Sequence, residues 1–134
     1  MIRFAFLFAS SKDRKRHICI DAKNENAILD FLEADPVRER KFNYAITLLL
    51  EHKVNKNLYG SEQIDGSSKN VTAIKLFKRG QNSRLYCKEQ RTQAGIFYII
   101  IAELLQKKKV KKVTGEVKQL IKKVATYEYE ILDR

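Results

Sequence analysis

The stretch from Val71 to Lys123 constrains the fold more than any other part of the chain. It contains three segments, VTAIKLFKR, SRLYCKEQ and GIFYIII, which are rich in the β-branched and aromatic residues found in half-buried strands. Turn-forming residues, Gly80 to Ser83, separate the first two segments, and a polar joint, Arg91 to Ala94, precedes the third. The stretch therefore predicts an antiparallel meander of three strands.

A lysine-rich segment, KKKVKK, follows the third strand and spans Lys107 to Lys112; we call it the lysine cluster. Beyond it, Thr114 is the expected N-cap of an amphipathic helix. The apolar face of this helix carries Val117, Leu120, Ile121 and Val124. Because the lysine cluster connects a strand to a helix, it places several cations at one edge of the sheet, where an anion is the natural ligand.

The chain of 134 residues carries 27 Lys and Arg against 16 Asp and Glu, which gives a net charge of +11. Such a charge favours phosphate-rich partners, either nucleic acid or an anionic membrane surface. A membrane is the less favoured partner, because no apolar run approaches the ~20 residues that span a bilayer. The apolar run Phe4 to Ala9 is also shorter than the about 7–15 residues of a signal peptide, so we expect a cytoplasmic protein.

The segments before the meander predict two strands and two helices. Ile2 to Ala9 and His17 to Ala22 have strand composition, and a hairpin is their simplest pairing. Asn24 is the expected N-cap of a first helix that ends at Ala34. The pair Asp35-Pro36 then caps and opens a second helix, whose apolar positions are Phe42, Ile46, Leu49 and Leu50.

These elements predict one domain, residues 1–134, of the α+β class. We expect a twisted, mainly antiparallel sheet with an N-terminal helical hairpin and a C-terminal helix, and residues 1–23 as an extra N-terminal strand or hairpin. Val54 to Lys69 is polar and predicts a loop, and the end of the chain, TYEYEIL, is either a frayed helix or a last short strand. Cys19 and Cys87 fall in predicted strands, which favours buried free thiols over a disulfide.

The chain contains a two-helix segment, ILDFLEADPVRERKFNYAITLLLEH, followed by a series of short motifs. The motifs are Ile74-Lys75-Leu76, Arg84-Leu85-Tyr86, Gly95 to Ile101, Leu105-Gln106-Lys107-Lys108 and Glu116-Val117. Their order and spacing resemble the RelE/ParE superfamily of bacterial toxins, particularly its HigB-like members. The similarity covers Ile28 to Val124, which is most of the chain.

The resemblance implies the toxin of a toxin–antitoxin pair, an enzyme that cuts mRNA on the ribosome. A ribose 2′-OH attacks the adjacent phosphate, so the reaction requires no metal and no other cofactor. The site takes a proton from the 2′-OH, neutralises the phosphorane-like charge and protonates the leaving 5′-oxygen, and preorganised cations supply the charge stabilisation. The implied partners are mRNA on the ribosome and an acidic cognate antitoxin protein.

The resemblance also implies which residues form the site. The catalytic residues would be Lys75, Arg84, Lys107 and Lys108. Arg84 matches the family's catalytic arginine, and its planar guanidinium group suits a phosphate better than an ammonium group does. The RNA itself would be bound by Arg79, Tyr86, Lys109, Lys111 and Lys112.

Each of these residues has a structural interpretation beside the functional one. Lys75 shares strand parity with Arg79, and both would then face solvent on a half-exposed sheet. Arg84 could belong to a structural ion pair and Tyr86 to the core, while the lysine cluster could be a solvated surface.

Two other functions stay open. A ParE-like toxin would bind gyrase and have no nuclease site, whereas a non-catalytic module would bind nucleic acid through its basic surface alone. Intact Lys75 and Arg84 argue against the gyrase-binding alternative. Departures from the family pattern at Ser83, Leu105 and Val113 favour the non-catalytic module.

Overall fold

The computed structural model describes residues 2–53, 56–62, 66–78, 81–106 and 115–133. Within these residues the chain forms a seven-stranded sheet and three α-helices. The strands are β1 (Ile2–Ser10), β2 (Arg16–Asp21), β3 (Tyr59–Ser61), β4 (Val71–Lys78), β5 (Gln81–Arg91), β6 (Phe97–Leu105) and β7 (Glu128–Leu132). The helices are α1 (Glu25–Glu33), α2 (Pro36–Leu50) and α3 (Gly115–Ala125).

The sheet is mixed, with the strand order β3-β4-β5-β6-β2-β1-β7. The pairs β3–β4, β4–β5, β5–β6 and β1–β2 are antiparallel. Two pairs, β2–β6 and β1–β7, are parallel. The parallel pairs join the N-terminal hairpin to strands from the C-terminal half of the chain.

The predicted arrangement, a mainly antiparallel sheet with an N-terminal helical hairpin and a C-terminal helix as in RelE-like proteins, is wrong. Two strands precede α1 and α2, which lie in the middle of the chain, and β7 follows α3. Strand β2 lies between β6 and β1, in the interior of the sheet. The local apolar patterns indicated strands correctly, but the parallel contacts that set their places join segments far apart in sequence.

The two faces of the sheet carry separate apolar cores. Helices α1 and α2 pack on one face, where the core includes Ile18, Ile20 and Leu85 from the sheet and residues of both helices. Helix α3 packs on the other face, which we call the α3 face, over a core that includes Cys19 and Tyr86. Alternate residues of β2 thus point to opposite cores, as the two-residue period of a strand requires.

The first two helices begin at residues that the sequence marks. Asp35 caps α2 as predicted, because its carboxylate accepts a hydrogen bond of 2.9 Å from Val37 N. Asn24 occupies the N-cap position of α1 without a side-chain capping bond. Its side-chain nitrogen instead donates to Ala102 O of β6 at 2.7 Å. Asn24 is thus the N-cap residue of α1 as predicted, but its side chain binds β6 and does not cap the helix.

The meander β4–β5–β6 forms where the sequence predicted three strands. The pairing of β4 with β5 extends to Lys78 and Gln81. Gln81, Asn82 and Ser83 therefore belong to β5 and not to the turn predicted for Gly80 to Ser83. The polar segment predicted as a loop holds the short strand β3 and a 3₁₀ turn, Gly66–Ser68.

Cys19 and Cys87 are both free and buried, which confirms the prediction of buried thiols. Their side chains belong to different cores, Cys19 on the α3 face and Cys87 on the face of α1 and α2. The sheet lies between them, so they do not pair.

Candidate nucleic-acid interface

Three neighbouring strands carry Lys75, Arg84 and Leu105 in one row on the α3 face. Lys75 of β4 pairs in register with Arg84 of β5, and Arg84 pairs with Leu105 of β6. Directly paired residues project to the same face of a sheet, and Leu105 packs against the core beneath α3. Strand β6 ends at Leu105, and the lysine cluster begins in the sequence after Gln106. The register thus brings Lys75 and Arg84 together at this end of the sheet.

Arg84 forms an ion pair in which its Nη1 contacts a carboxylate oxygen of Glu62. Both side chains are largely buried, with exposed fractions of 13% for Arg84 and 10% for Glu62. Like charges directly opposite each other on neighbouring strands repel, so the carboxylate offsets the repulsion between Arg84 and Lys75. Sequence reasoning missed Glu62, because the residue lies in a polar segment with no motif to mark it.

The Lys75 side chain lies over the short strand β3. Its Nζ donates a hydrogen bond of 3.4 Å to Lys56 O, and it lies 3.6 Å from the position that a Cβ would occupy at Gly60. A Cβ at Gly60 would therefore be in ordinary van der Waals contact with the ammonium group. Lys75 is partly exposed, so this cation can meet an anion that arrives from solvent.

Tyr86 follows Arg84 on the α3 face and is fully buried, with an exposed fraction of 0%. In this conformation its ring packs in the core and offers no surface on which a base could stack. The hydroxyl oxygen has no hydrogen-bond partner among the described residues. Burial raises the pKa of Tyr86 to about 12, and Glu62 raises it while Arg84 lowers it. The hydroxyl is therefore a protonated donor at neutral pH.

An acidic residue borders this basic row. Glu103 of β6 pairs in register with Tyr86 and accepts a hydrogen bond from the Tyr127 hydroxyl. Lys123 Nζ of α3 lies 4.0 Å from the same carboxylate, whose side chain is 16% exposed. Tyr127 and Lys123 thus partner Glu103, as Arg84 partners Glu62.

The other predicted site residues lie outside the described residues, and their roles stay predictions. They are Arg79, Lys107, Lys108, Lys109, Lys111 and Lys112. Thr114, the predicted N-cap of α3, lies outside them as well. In the part of the chain that the structure describes, no group of three or more His, Cys, Asp and Glu side chains is placed to hold a metal ion.

Comparisons with known proteins give no match. No protein-family model matches the chain, and no curated protein or solved structure matches it at the significance required. Among the described helices, none combines the length and apolar character needed to cross a membrane. A functional assignment therefore depends on the chemistry of the Lys75–Arg84 row.

Proposed function

We propose that this chain is the toxin of a toxin–antitoxin pair and acts as a ribosome-dependent, metal-independent mRNA endoribonuclease. One observation carries the proposal. The register of β4 and β5 places Lys75 directly opposite Arg84, which are the two strand residues that the resemblance assigned to catalysis. The sequence of the lysine cluster continues from the strand end beside Arg84.

The chemistry of the two side chains suits cleavage of a phosphodiester by its own 2′-OH. The Arg84 guanidinium can hold two phosphate oxygens at once through parallel N–H groups. The Lys75 ammonium adds a second positive charge, and both would stabilise the charge that builds on phosphorus in the transition state. Lys107 and Lys108 complete the proposed site, while Lys109, Lys111 and Lys112 would hold the RNA backbone.

The proposed partners follow from the charge of the chain. A net charge of +11 would speed association with RNA on the ribosome, since opposite charges steer diffusional encounter. The same charge would attract an acidic antitoxin that covers this surface. Substrate and ribosome both lie in the cytoplasm, which is the proposed compartment.

The test is growth and transcript integrity after induction in a bacterial host. We expect the wild-type chain to arrest growth and to produce new mRNA 5′ ends inside translated codons. Arg84→Lys should lose both effects, because an ammonium group still pairs with Glu62 but lacks the two-pronged phosphate contact. Arg40→Ala, at an exposed position of α2, should behave as wild type at a matched protein level.

Other outcomes of the same experiment would contradict the proposal. Growth arrest with intact transcripts would indicate a gyrase-binding toxin. If folded wild-type protein does not arrest growth, the chain is not a toxin. Arrest and cleavage that persist in Arg84→Lys and Arg84→Ala would remove Arg84 from the site.

A second candidate function is a non-catalytic nucleic-acid-binding module on the same surface. The ion pair between Arg84 and Glu62 favours it, because the guanidinium is already engaged by a carboxylate. Purified protein and purified ribosomes separate the two functions. Salt-sensitive RNA binding without cleavage, on and off the ribosome, would support the binding module.

A further inference from the structure

We propose that Glu62 is an internal competitor of the RNA phosphate, so that its carboxylate occupies Arg84 in the free protein and is displaced when RNA binds. This inference rests on the proposed function, in that Arg84 must bind phosphate. Glu62 would then be a positioning residue that sets how readily the site opens.

The backbone fixes where the Glu62 side chain starts. Glu62 follows β3, and its backbone N donates a hydrogen bond of 2.9 Å to Val71 O at the beginning of β4. Arg84 lies farther along the sheet, opposite Lys75. The carboxylate of Glu62 and the guanidinium of Arg84 nevertheless meet. The residues Gly60 and Ala73, which pair in register between these two positions, are small.

A carboxylate on Arg84 resembles the ligand that the proposed reaction requires. Carboxylates and phosphates both present two oxygens to the parallel N–H groups of a guanidinium, and each forms short charge-assisted hydrogen bonds with it. A phosphate that replaces Glu62 would thus keep Arg84 paired throughout the exchange. The exposed fractions of 13% and 10% leave a small part of each side chain in contact with solvent.

The Tyr86 hydroxyl is a second observation that points to a ligand at this position. It is buried and has no partner among the described residues, and both Glu62 and Arg84 act on its pKa. A phosphate held by Arg84 would bring additional acceptor oxygens near this donor. The exchange would then supply an acceptor to a buried hydroxyl that has none among the described residues.

Competition within the protein lowers the apparent affinity for RNA. Only the fraction of molecules in which Glu62 has released Arg84 binds phosphate there, and the measured dissociation constant rises by the inverse of that fraction. Removal of the carboxylate should therefore tighten RNA binding. This increase in RNA affinity should require Arg84. It should also exceed the increase that follows when a negative charge is removed at another position of the surface.

The experiment measures binding of a short single-stranded RNA with 2′-O-methyl riboses, which cannot be cleaved, by fluorescence anisotropy with the purified full chain. We expect Glu62→Gln to tighten binding about tenfold. This is the change expected if Glu62 occupies Arg84 in most wild-type molecules. Glu39→Gln changes the net charge equally at an exposed position of α2 and should tighten binding less than about twofold. In an Arg84→Ala background, Glu62→Gln should have no more effect than Glu39→Gln.

The outcomes separate the inference from the proposed function. In the first outcome, RNA binds the wild type and Arg84→Ala weakens that binding, so the phosphate site stands. If Glu62→Gln then has the same effect as Glu39→Gln, or weakens binding, Glu62 is not a competitor. If the Glu62→Gln gain persists in the Arg84→Ala background, the inference is also overturned. If Arg84→Ala leaves RNA binding unchanged, the phosphate site itself is wrong and the inference falls with it.

A second variant keeps the test decisive if Glu62→Gln does not fold. Glu62→Asp retains the charge but shortens the side chain by one methylene, which weakens its reach to Arg84. We expect Glu62→Asp to tighten RNA binding in the same direction by a smaller factor. Weaker binding by a folded Glu62→Asp protein would overturn the inference.

Discussion

The Tyr129 hydroxyl donates a hydrogen bond of 2.6 Å to Asp21 Oδ2, which joins residues 108 positions apart in the chain. The same oxygen accepts from Arg3 Nε at 2.8 Å, while Asp21 Oδ1 accepts from Lys23 N at 2.8 Å. The carboxylate thus connects the neighbouring strands β2, β1 and β7. Asp21 is completely buried, and its donors provide the pairing that a buried charge requires.

Tyr129→Phe should destabilise the protein by about 1–3 kcal/mol, because the variant removes one donor from a buried carboxylate. Urea unfolding measures this change in the free energy of unfolding. Tyr44→Phe is the matched control, since Tyr44 is 56% exposed and its change should be within about 0.5 kcal/mol. Equal stabilities of the two variants would show that the Tyr129 hydroxyl contributes nothing.

Asp21→Asn should cost more, about 3–5 kcal/mol, because it leaves the partly buried Arg3 without its carboxylate. The hydrogen bond from Arg3 to Asp21 raises the pKa of Arg3 above its ordinary value. Arg3 stays charged in the variant as well, because an arginine side chain does not lose its proton in proteins. The free energies of unfolding of Asp21→Asn, Arg3→Met and the double variant together give the coupling energy between the two side chains. The double variant should lose less stability than the sum of the single variants, and strict additivity would contradict the ion pair.

Tyr86→Phe should leave stability unchanged or raise it by about 1 kcal/mol, because it removes a buried hydroxyl that has no partner among the described residues. The pH dependence gives a second readout. The pKa of Tyr86 is raised from 10.0 to about 12, so stability is fully present below pH 10 and declines as the pH rises toward 12.

Unfolding curves of wild type and Tyr86→Phe between pH 9 and 12 test this sign. The decline should be shallower in Tyr86→Phe by about 1 kcal/mol or more. A steeper decline, or a large loss of stability at pH 7, would show that the hydroxyl has a partner in the folded protein.

The two thiols should resist modification until the protein unfolds. Burial raises the pKa of Cys19 to about 12 and the pKa of Cys87 above its ordinary value. Because the thiolate is the reactive form, labelling by a disulfide reagent at pH 8 should follow the unfolding transition in urea. Serine variants at each position identify which thiol reacts, and rapid labelling of either one in native buffer would contradict its burial.

The meander and the helix starts were predictable because their signals are local. The β-branched and aromatic residues of Val71–Lys78 and the pair Asp35-Pro36 each indicate a structure within a few residues. The pairing of β7 with β1 was not predictable in the same way, because Tyr129 and Arg3 lie far apart in the sequence and pair only in the folded sheet.

In the candidate site, too, the local features were predictable from the sequence and the long-range contacts were not. Strand parity placed Lys75 on a face from the sequence alone, but the register that sets it opposite Arg84 is defined only by the pairing of β4 with β5 in the sheet. Glu62 and Glu103 reach the site from a polar segment and a strand end. Neither belongs to a motif, so the charge balance of the site emerges only in three dimensions.

The parallel pairing of β1 with β7 has a consequence for the order of events during synthesis. Strand β1 leaves the translating ribosome long before its neighbour Glu128–Leu132 is made, because the two strands lie far apart in the sequence. Until then the nascent chain has an open strand edge beside apolar side chains, among them Ile2 and Phe4, which stay 66% and 47% exposed even after folding. The β1 edge is therefore covered only after β7 has been translated, and until then this edge can pair with other strands.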